Sequence, residues 1–303
     1  MSAKRVLIFD SGVGGLSVYE QIVKYNPTIK CQYLFDNAYF PYGELPREQL
    51  IHRLTQLLTE FMQLHSVDLI VIACNSASTV ALDALRLHFT IPIVGVVPAI
   101  KPATLITANN VIGLLATPGT IERAYTDTLI NEFAADKTVL RIGSTQLVKL
   151  AEDKLIGKVL DVDSFRAILA PWLKNEDNMP DTLVLGCTHF PLLKEEISAC
   201  FARPVHLVDS GQAIALRVKQ LLNPLSLDEQ LLDEQLSSEQ LLNDPLSSSQ
   251  LLNNYPLNNY PLNKYPLNHQ AFYTRQFESK AHLTALTMSF KERGFLDINF
   301  CGL

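Results

Sequence analysis

At 303 residues and 48% hydrophobic, the chain can bury a sizeable core and has enough length for two modest domains. Its formal net charge of −6, with no Lys/Arg-rich run, excludes the electrostatic footprint of a nucleic-acid binder or of a protein held on an anionic membrane surface. No apolar stretch reaches the roughly 20 residues of a spanning helix, and the N-terminal residues run straight into a strand without room for a signal peptide. A cytoplasmic protein is therefore expected.

Strand-like and helix-like segments alternate from the start. Residues 5–9 form an apolar run ending at Asp10, followed by a glycine-rich turn and a helix over 16–25. Residues 32–35 make the next strand, ending at Asp36, and Pro46 opens a long amphipathic helix to residue 64. A third strand over 69–73 leads through a helix ending near 88 to a fourth strand over 93–97. The pattern then restarts with a strand over 111–116 and a helix start at Thr117-Pro118. Further strands are expected at 139–142, 182–185 and 205–208, separated by helices near 146–153, 163–174, 191–200 and 211–222. Fully apolar strands alternating with helices mean parallel sheets covered on both faces, hence an α/β chain with doubly wound sheets.

Residues 224–268 differ in kind. They repeat with a five-residue period that suits neither strand nor helix, and Pro256, Pro261 and Pro266 interrupt regular hydrogen bonding. A flexible, expanded low-complexity insertion is expected there. After it come a strand over 271–274 and a helix over 278–291.

The five cysteines are odd in number and widely spaced, with no C-x-x-C pair, which argues against a disulfide framework or a structural zinc site. Cys31, Cys200 and Cys301 read as small buried hydrophobes. Cys74 and Cys187 stand apart. Each follows an apolar strand and a small residue, in Ile72-Ala73-Cys74-Asn75-Ser76 and Leu185-Gly186-Cys187-Thr188-His189. Open parallel sheets bind ligands beyond the carboxyl ends of their strands, which is where Asp10-Ser11, both cysteine segments and Thr117 through Thr120 fall. An echo of Asp10-Ser11-Gly12 in Asp209-Ser210-Gly211 hints at two pseudo-equivalent lobes.

Two thiols on one crevice suit the removal of a proton from one side of a carbon and its return on the other. A thiol with an ordinary pKa of about 8.5 is tuned by helix N-termini and neighbouring donors, and both cysteines are expected to lead into helices. Asp10 would take a proton from Cys74 or orient it, and His189 would play the matching part for Cys187. Backbone amides and the hydroxyls of Ser11, Ser76 and Thr188 would hold substrate carboxylates. Each of these residues taken alone also has a plain structural reading: Asp10 as a helix cap, His189 as a core histidine. No Lys sits at a strand end to hold pyridoxal phosphate, and no group has metal-ligand spacing, so neither cofactor nor metal is expected. A rival reading takes Gly12-Val13-Gly14-Gly15-Leu16-Ser17 with Asp36 as a dinucleotide fingerprint. Ser17 in place of the third glycine and Asp10 beside the pyrophosphate oppose it.

The ordered motifs, Phe9 through Ser17, Asp36 through Gly43, Ala73 through Ser78, Gly95 through Ala99, Leu185 through Leu192 and Val208 through Gly211, resemble the glutamate racemases of the aspartate/glutamate racemase superfamily. The resemblance implies two α/β lobes with the active site between them: residues 1–97 with 209–303, and residues 98–208. It implies cofactor-independent interconversion of L- and D-glutamate, the D form supplying peptidoglycan synthesis for the cell wall. Cys74 would act on the α-proton of D-glutamate and Cys187 on that of L-glutamate, assisted by Asp10, His189 and Glu152. Asp10, Ser11, Pro41, Tyr42, Gly43, Asn75, Ser76, Thr117, Thr120, Thr188 and His189 would bind substrate. Ser76 stands where the family usually has Thr, Gly143-Ser144-Thr145 replaces a usual Ala-Cys-Pro upstream of Glu152, and the 224–268 repeat is foreign to it. Two alternatives stay open: an aspartate racemase of the same superfamily, and a non-catalytic glutamate-binding regulator. Glutamate is the expected small-molecule partner, with no nucleic acid and no membrane. A homodimer is compatible with this reading.

Overall fold

The structure is a computed structural model and describes residues 3–174, 178–223 and 269–303. The repeat at 224–268 lies outside the described residues. Ten strands form two sheets among the described residues, all pairs parallel.

The first sheet takes β1 (Arg5–Asp10), β2 (Lys30–Phe35), β3 (Leu69–Ile72), β4 (Ile93–Gly95), β9 (His269–Tyr273) and β10 (Phe295–Phe300) in the order β10-β9-β2-β1-β3-β4. Its central strands are apolar on both faces because both are covered. On one face Val6, Ile8, Tyr33 and Val71 meet α1 (Leu16–Tyr25), α10 (Gly211–Leu222) and the C-terminal helix α11 (Lys280–Glu292). On the other, Leu7, Phe9, Ile70 and Ile72 meet α2 (Arg47–Leu64) and α3 (Asn75–His88).

The second sheet takes β5 (Val111–Ala116), β6 (Thr138–Gly143), β7 (Thr182–Leu185) and β8 (His206–Val208) in the order β6-β5-β7-β8. One face packs on α7 (Gln146–Leu155), α8 (Val162–Leu173) and α9 (Lys194–Ser198) through Leu147, Phe165, Trp172 and Ile197. The other packs on α4 (Ile100–Ile106) and α6 (Ala124–Phe133) through Ile100, Ala103 and Ile130. The short α5 (Pro118–Ile121) caps the end of β5.

Strand order reverses once in each sheet. In the first, β1 lies between β2 and β3, and Phe9 pairs with Ile72. In the second, β5 lies between β6 and β7, and Leu115 pairs with Leu185. The crevice at such a switch point opens at the carboxyl ends of the strands. Continuing each register by two residues brings Ser11 beside Cys74 and Thr117 beside Cys187.

Two parts of the fold differ from the sequence reading. α4 and β10 went unread: β10 carries only Phe295 and Ile298 inward, so its six residues lack both a buried run and strict alternation. The helix expected over 191–200 is instead a 3-10 turn at Phe190–Leu193 followed by the five-residue α9. The Asp209-Ser210-Gly211 echo is a repeated turn geometry. Gly211 N donates to Asp209 Oδ1 at 2.8 Å, as Gly12 N does to Asp10 Oδ1, but Asp209 then pairs with Lys194 at 2.6 Å. No described helix is long and apolar enough to cross a membrane.

Candidate active site

Asp10 ends β1, fully buried, and Cys74 follows β3 as the residue that precedes the first turn of α3. The two are joined through Ser11, whose Oγ lies 3.4 Å from Asp10 Oδ1 and 3.8 Å from Cys74 Sγ. Burial, opposed by the His189 charge and by hydrogen bonds from Gly12 N and Thr188, raises Asp10 to about 6, within reach of proton exchange near neutral pH. Burial and then the Asp10 charge push the Cys74 thiol well up, although Cys74 heads a helix as expected. Desolvation outweighs the helix terminus here, and Cys74 is held as a thiol.

The second cysteine has different company. Cys187 leads into a turn and the short 3-10 segment rather than an α-helix. Its Sγ lies 3.8 Å from His189 Nδ1, and His189 Nε2 lies 2.8 Å from Glu152 Oε1 on α7. Burial works against a charged His189, but the sulfur and the Glu152 carboxylate outweigh it and hold the imidazole pKa well above its ordinary value. A positively charged imidazole beside a sulfur is what a thiolate requires.

The two arrangements belong to one site. Thr188 Oγ1 donates to Asp10 Oδ2 at 2.9 Å, crossing from the second sheet to the first. Ser17 Oγ donates to Thr188 O at 2.8 Å, and Glu152 Oε1 accepts Val13 N at 2.9 Å. Charge on Cys187 is also felt at Cys74.

The glycine turn is filled by protein. A Cβ on Gly12 would overlap Glu152 Oε1, and one on Gly14 would overlap the His189 ring. These glycines allow the second lobe's histidine and glutamate to seat against the first lobe's backbone, where the dinucleotide reading would need a pyrophosphate. No His, Cys, Asp and Glu residues group as a metal site among the described residues.

The remaining expected residues divide by what they touch. Ser76 Oγ lies 3.2 Å from Thr117 Oγ1 and 3.5 Å from Thr120 Oγ1, and the two threonine hydroxyls are 3.0 Å apart. Gly43, beside Pro41 in the segment after β2, comes close to α5: Gly119 has no room for a Cβ against Gly43 O. The Asn75 amide nitrogen is buried with no partner among the described residues, so a donor waits beside Cys74. The Tyr42 hydroxyl bonds to none of these. Its phenol is buried and donates to Asp36 Oδ2 at 2.6 Å, leaving only its backbone to face a ligand.

Asp36 anchors a cluster that sequence reading passed over. Arg53 grips its carboxylate through Nε and Nη2, each at 2.9 Å, and Thr274 on the segment after β9 donates to Oδ1 at 2.5 Å. This buried pair fixes the 36–43 loop from behind. The partners are 17 and 238 residues away, so no local pattern reveals them. Ser17 was visible only as a missing glycine, and its bond to Thr188 needed the second lobe in place.

Comparison with known proteins bears on this geometry. The Asp/Glu/Hydantoin racemase family matches residues 13–218. The glutamate racemase of Vibrio cholerae is 57% identical over 221 residues, covering 73% of this chain and 82% of the relative. That of Pectobacterium atrosepticum is 49% identical over 235 residues, covering 76% and 82%. Among solved structures, Escherichia coli glutamate racemase in complex with L-glutamate and the activator UDP-MurNAc-Ala superposes with a TM-score of 0.81 at 38% identity, covering 98% of each chain.

Proposed function

The chain belongs to the Asp/Glu/Hydantoin racemase family, and from that premise we propose that it interconverts L- and D-glutamate by proton transfer between two thiols, supplying D-glutamate for peptidoglycan synthesis. The observation that carries the reading is the Asp10 carboxylate, linked through Ser11 to Cys74 and through Thr188 to the segment holding Cys187.

The two sulfurs have unlike partners, and this assigns a resting direction. Cys187, facing the charged His189, takes the α-proton of L-glutamate. Cys74, held as a thiol by burial and by Asp10, gives its proton to the opposite face of the same carbon. The product is D-glutamate, with the negative charge now on Cys74 and the proton on Cys187. The site is then reset through solvent: His189 gives up its proton and takes that of Cys187, and Asp10 takes a proton from water and passes it to Cys74; D-glutamate runs the sequence in reverse. Glu152 holds the His189 ring by its Nε2 side and so aims Nδ1 at the sulfur. Asn75, Ser76, Thr117, Thr120, Thr188 and the Gly43 backbone bind the carboxylates. A cytoplasmic setting suits two free thiols.

The test is a polarimetric assay on pure L-glutamate in deuterated water, with no added cofactor and with L-aspartate as competitor. Loss of optical rotation accompanied by deuterium at the α-carbon is expected, with glutamate preferred. Tight glutamate binding without exchange would overturn racemisation in favour of a regulator, and a preference for aspartate would overturn the substrate.

A further inference from the structure

Arg123 stands between α5 and α6, half-buried, on the side of the site where the 36–43 loop meets α5. Its Nη2 lies 3.6 Å from the position of a Cβ on Gly119, the same position that abuts Gly43 O. Its Nε is fully buried and has no hydrogen-bond partner among the described residues. A guanidinium is always charged, and leaving one of its buried N–H groups unpaired is costly. Burial, and then the like charge of Arg47 at the start of α2, disfavour the cation, while charge on Cys74 favours it.

Gly43 joins this corner to a cluster of hydroxyls: its carbonyl abuts Gly119, and a Cβ on Gly43 would meet Thr117. Ser76, Thr117 and Thr120 share hydrogen bonds among themselves, and the Asn75 amide is a second buried nitrogen without an acceptor among the described residues. The Asn75 amide, three hydroxyls and an Arg123 cation within electrostatic reach of Cys74, its Nε without a partner among the described residues, lack one thing, an anion with planar oxygens. A carboxylate fits the fork of Nε and Nη2.

We propose that Arg123 receives the distal carboxylate of the substrate and thereby selects a dicarboxylic amino acid. The assignment rests on the racemase reading above. It gives Arg123 a role that bears on binding rather than on proton transfer, since the distal carboxylate is unchanged by racemisation.

The full chain, Arg123→Gln and Arg123→Lys are compared in L-glutamate racemisation, with glutamate affinity also measured by calorimetry and L-norvaline, which lacks the distal carboxylate, titrated as a competitive inhibitor. Arg123→Gln is expected to raise KM about twentyfold with kcat within about threefold and the norvaline inhibition constant unchanged, and Arg123→Lys to fall between it and the wild type. An unchanged glutamate KM, or equal weakening of glutamate and norvaline, would overturn the assignment. If Arg123→Gln does not fold, Arg123→Lys decides: a KM within about 1.5-fold of wild type refutes the role. A wild type that binds glutamate without racemising it sinks the racemase reading, and the loss of affinity in Arg123→Gln still reads the carboxylate contact.

Discussion

Thr188 Oγ1 donates to Asp10 Oδ2 at 2.9 Å, so the residue that follows one thiol is bonded to the carboxylate that stands beside the other. That bond is one of the contacts restraining the rise of Asp10, which burial alone would carry beyond about 6. From D-glutamate, Asp10 must be ionised to take the proton of Cys74, so activity in that direction should fall as pH drops through that value. Thr188→Val removes a donor to the charged form. The acidic limb of kcat/KM is expected to move up by roughly half a unit, and kcat/KM at pH 6, on that limb, to fall about twofold. Thr188→Ser should restore both. A limb that stays put in the valine variant would show that the hydroxyl does not act through Asp10.

Both sulfurs are needed in each direction, one to take the proton and one to give it. Cys74→Ala and Cys187→Ala are each expected to lower racemisation by at least about 10³-fold, ~4 kcal/mol, with unchanged far-UV circular dichroism. Because the thiols act as a unit, the double variant should be no slower than the worse single variant. Normal turnover in both single variants would refute the two-thiol reaction. Multiplication of the two losses in the double variant would show independent rather than joint action.

The fold was legible because the interiors of β1, β3, β5 and β7 are unbroken apolar runs, and only a strand covered on both faces can carry one. The positions of Asp10, Cys74 and Cys187 followed, since strand ends are where such sheets present side chains. What the sequence hid was long-range. Asp36 meets Arg53 and Thr274, Ser17 meets Thr188, and Val13 meets Glu152 across 139 residues. The tuning of the thiols was hidden for a related reason. A helix start next to Cys74 is visible in the sequence, whereas the burial and the Asp10 charge that outweigh it exist only once β1 pairs with β3 and the site is covered. The tyrosine of the 36–43 motif shows the same limit: its place in the motif did not disclose that its phenol turns inward.

The glycines separate two reasons for lacking a side chain. Gly14 is not among the residues with positive φ, so alanine fits its backbone, but its Cβ would overlap the His189 ring. Gly157 is the converse, with φ of 79° and nothing within 4 Å of a Cβ. Gly14→Ala is expected to push His189 off Cys187 and lower kcat at least about 100-fold, with a stability loss of about 1–3 kcal/mol. Gly157→Ala should cost about 1 kcal/mol through backbone strain alone and leave kcat unchanged. Activity assays and thermal melts of the pair check this. Equal activity in the two variants would show that the glycine turn is not shaped by the histidine.

Two buried groups tie stability to pH in opposite senses. Asp10 is raised from 3.8 to about 6 by burial, so its contribution is fully present below 3.8 and is lost as pH rises through 6. His269 on β9, fully buried with Cys31 N donating to its Nδ1 at 2.8 Å, is lowered by burial from 6.5 to about 4. It is neutral in the folded chain while the unfolded chain binds a proton, so its contribution is present above 6.5 and is lost as pH falls through 4. Each shift is worth on the order of 3 kcal/mol, and between pH 4 and 6.5 the two slopes oppose each other. Asp10→Asn removes the falling slope, so its stability should climb with pH across that window and exceed the wild type by several degrees in Tm at pH 8, at the expense of activity. His269→Asn keeps an acceptor for the Cys31 amide and removes the rising slope, so its stability should decline across the same window. Calorimetric melts at pH 4.5, 5.5 and 6.5 read the sign directly. Melting curves that run parallel to the wild type in both variants would mean that neither group changes its protonation on folding.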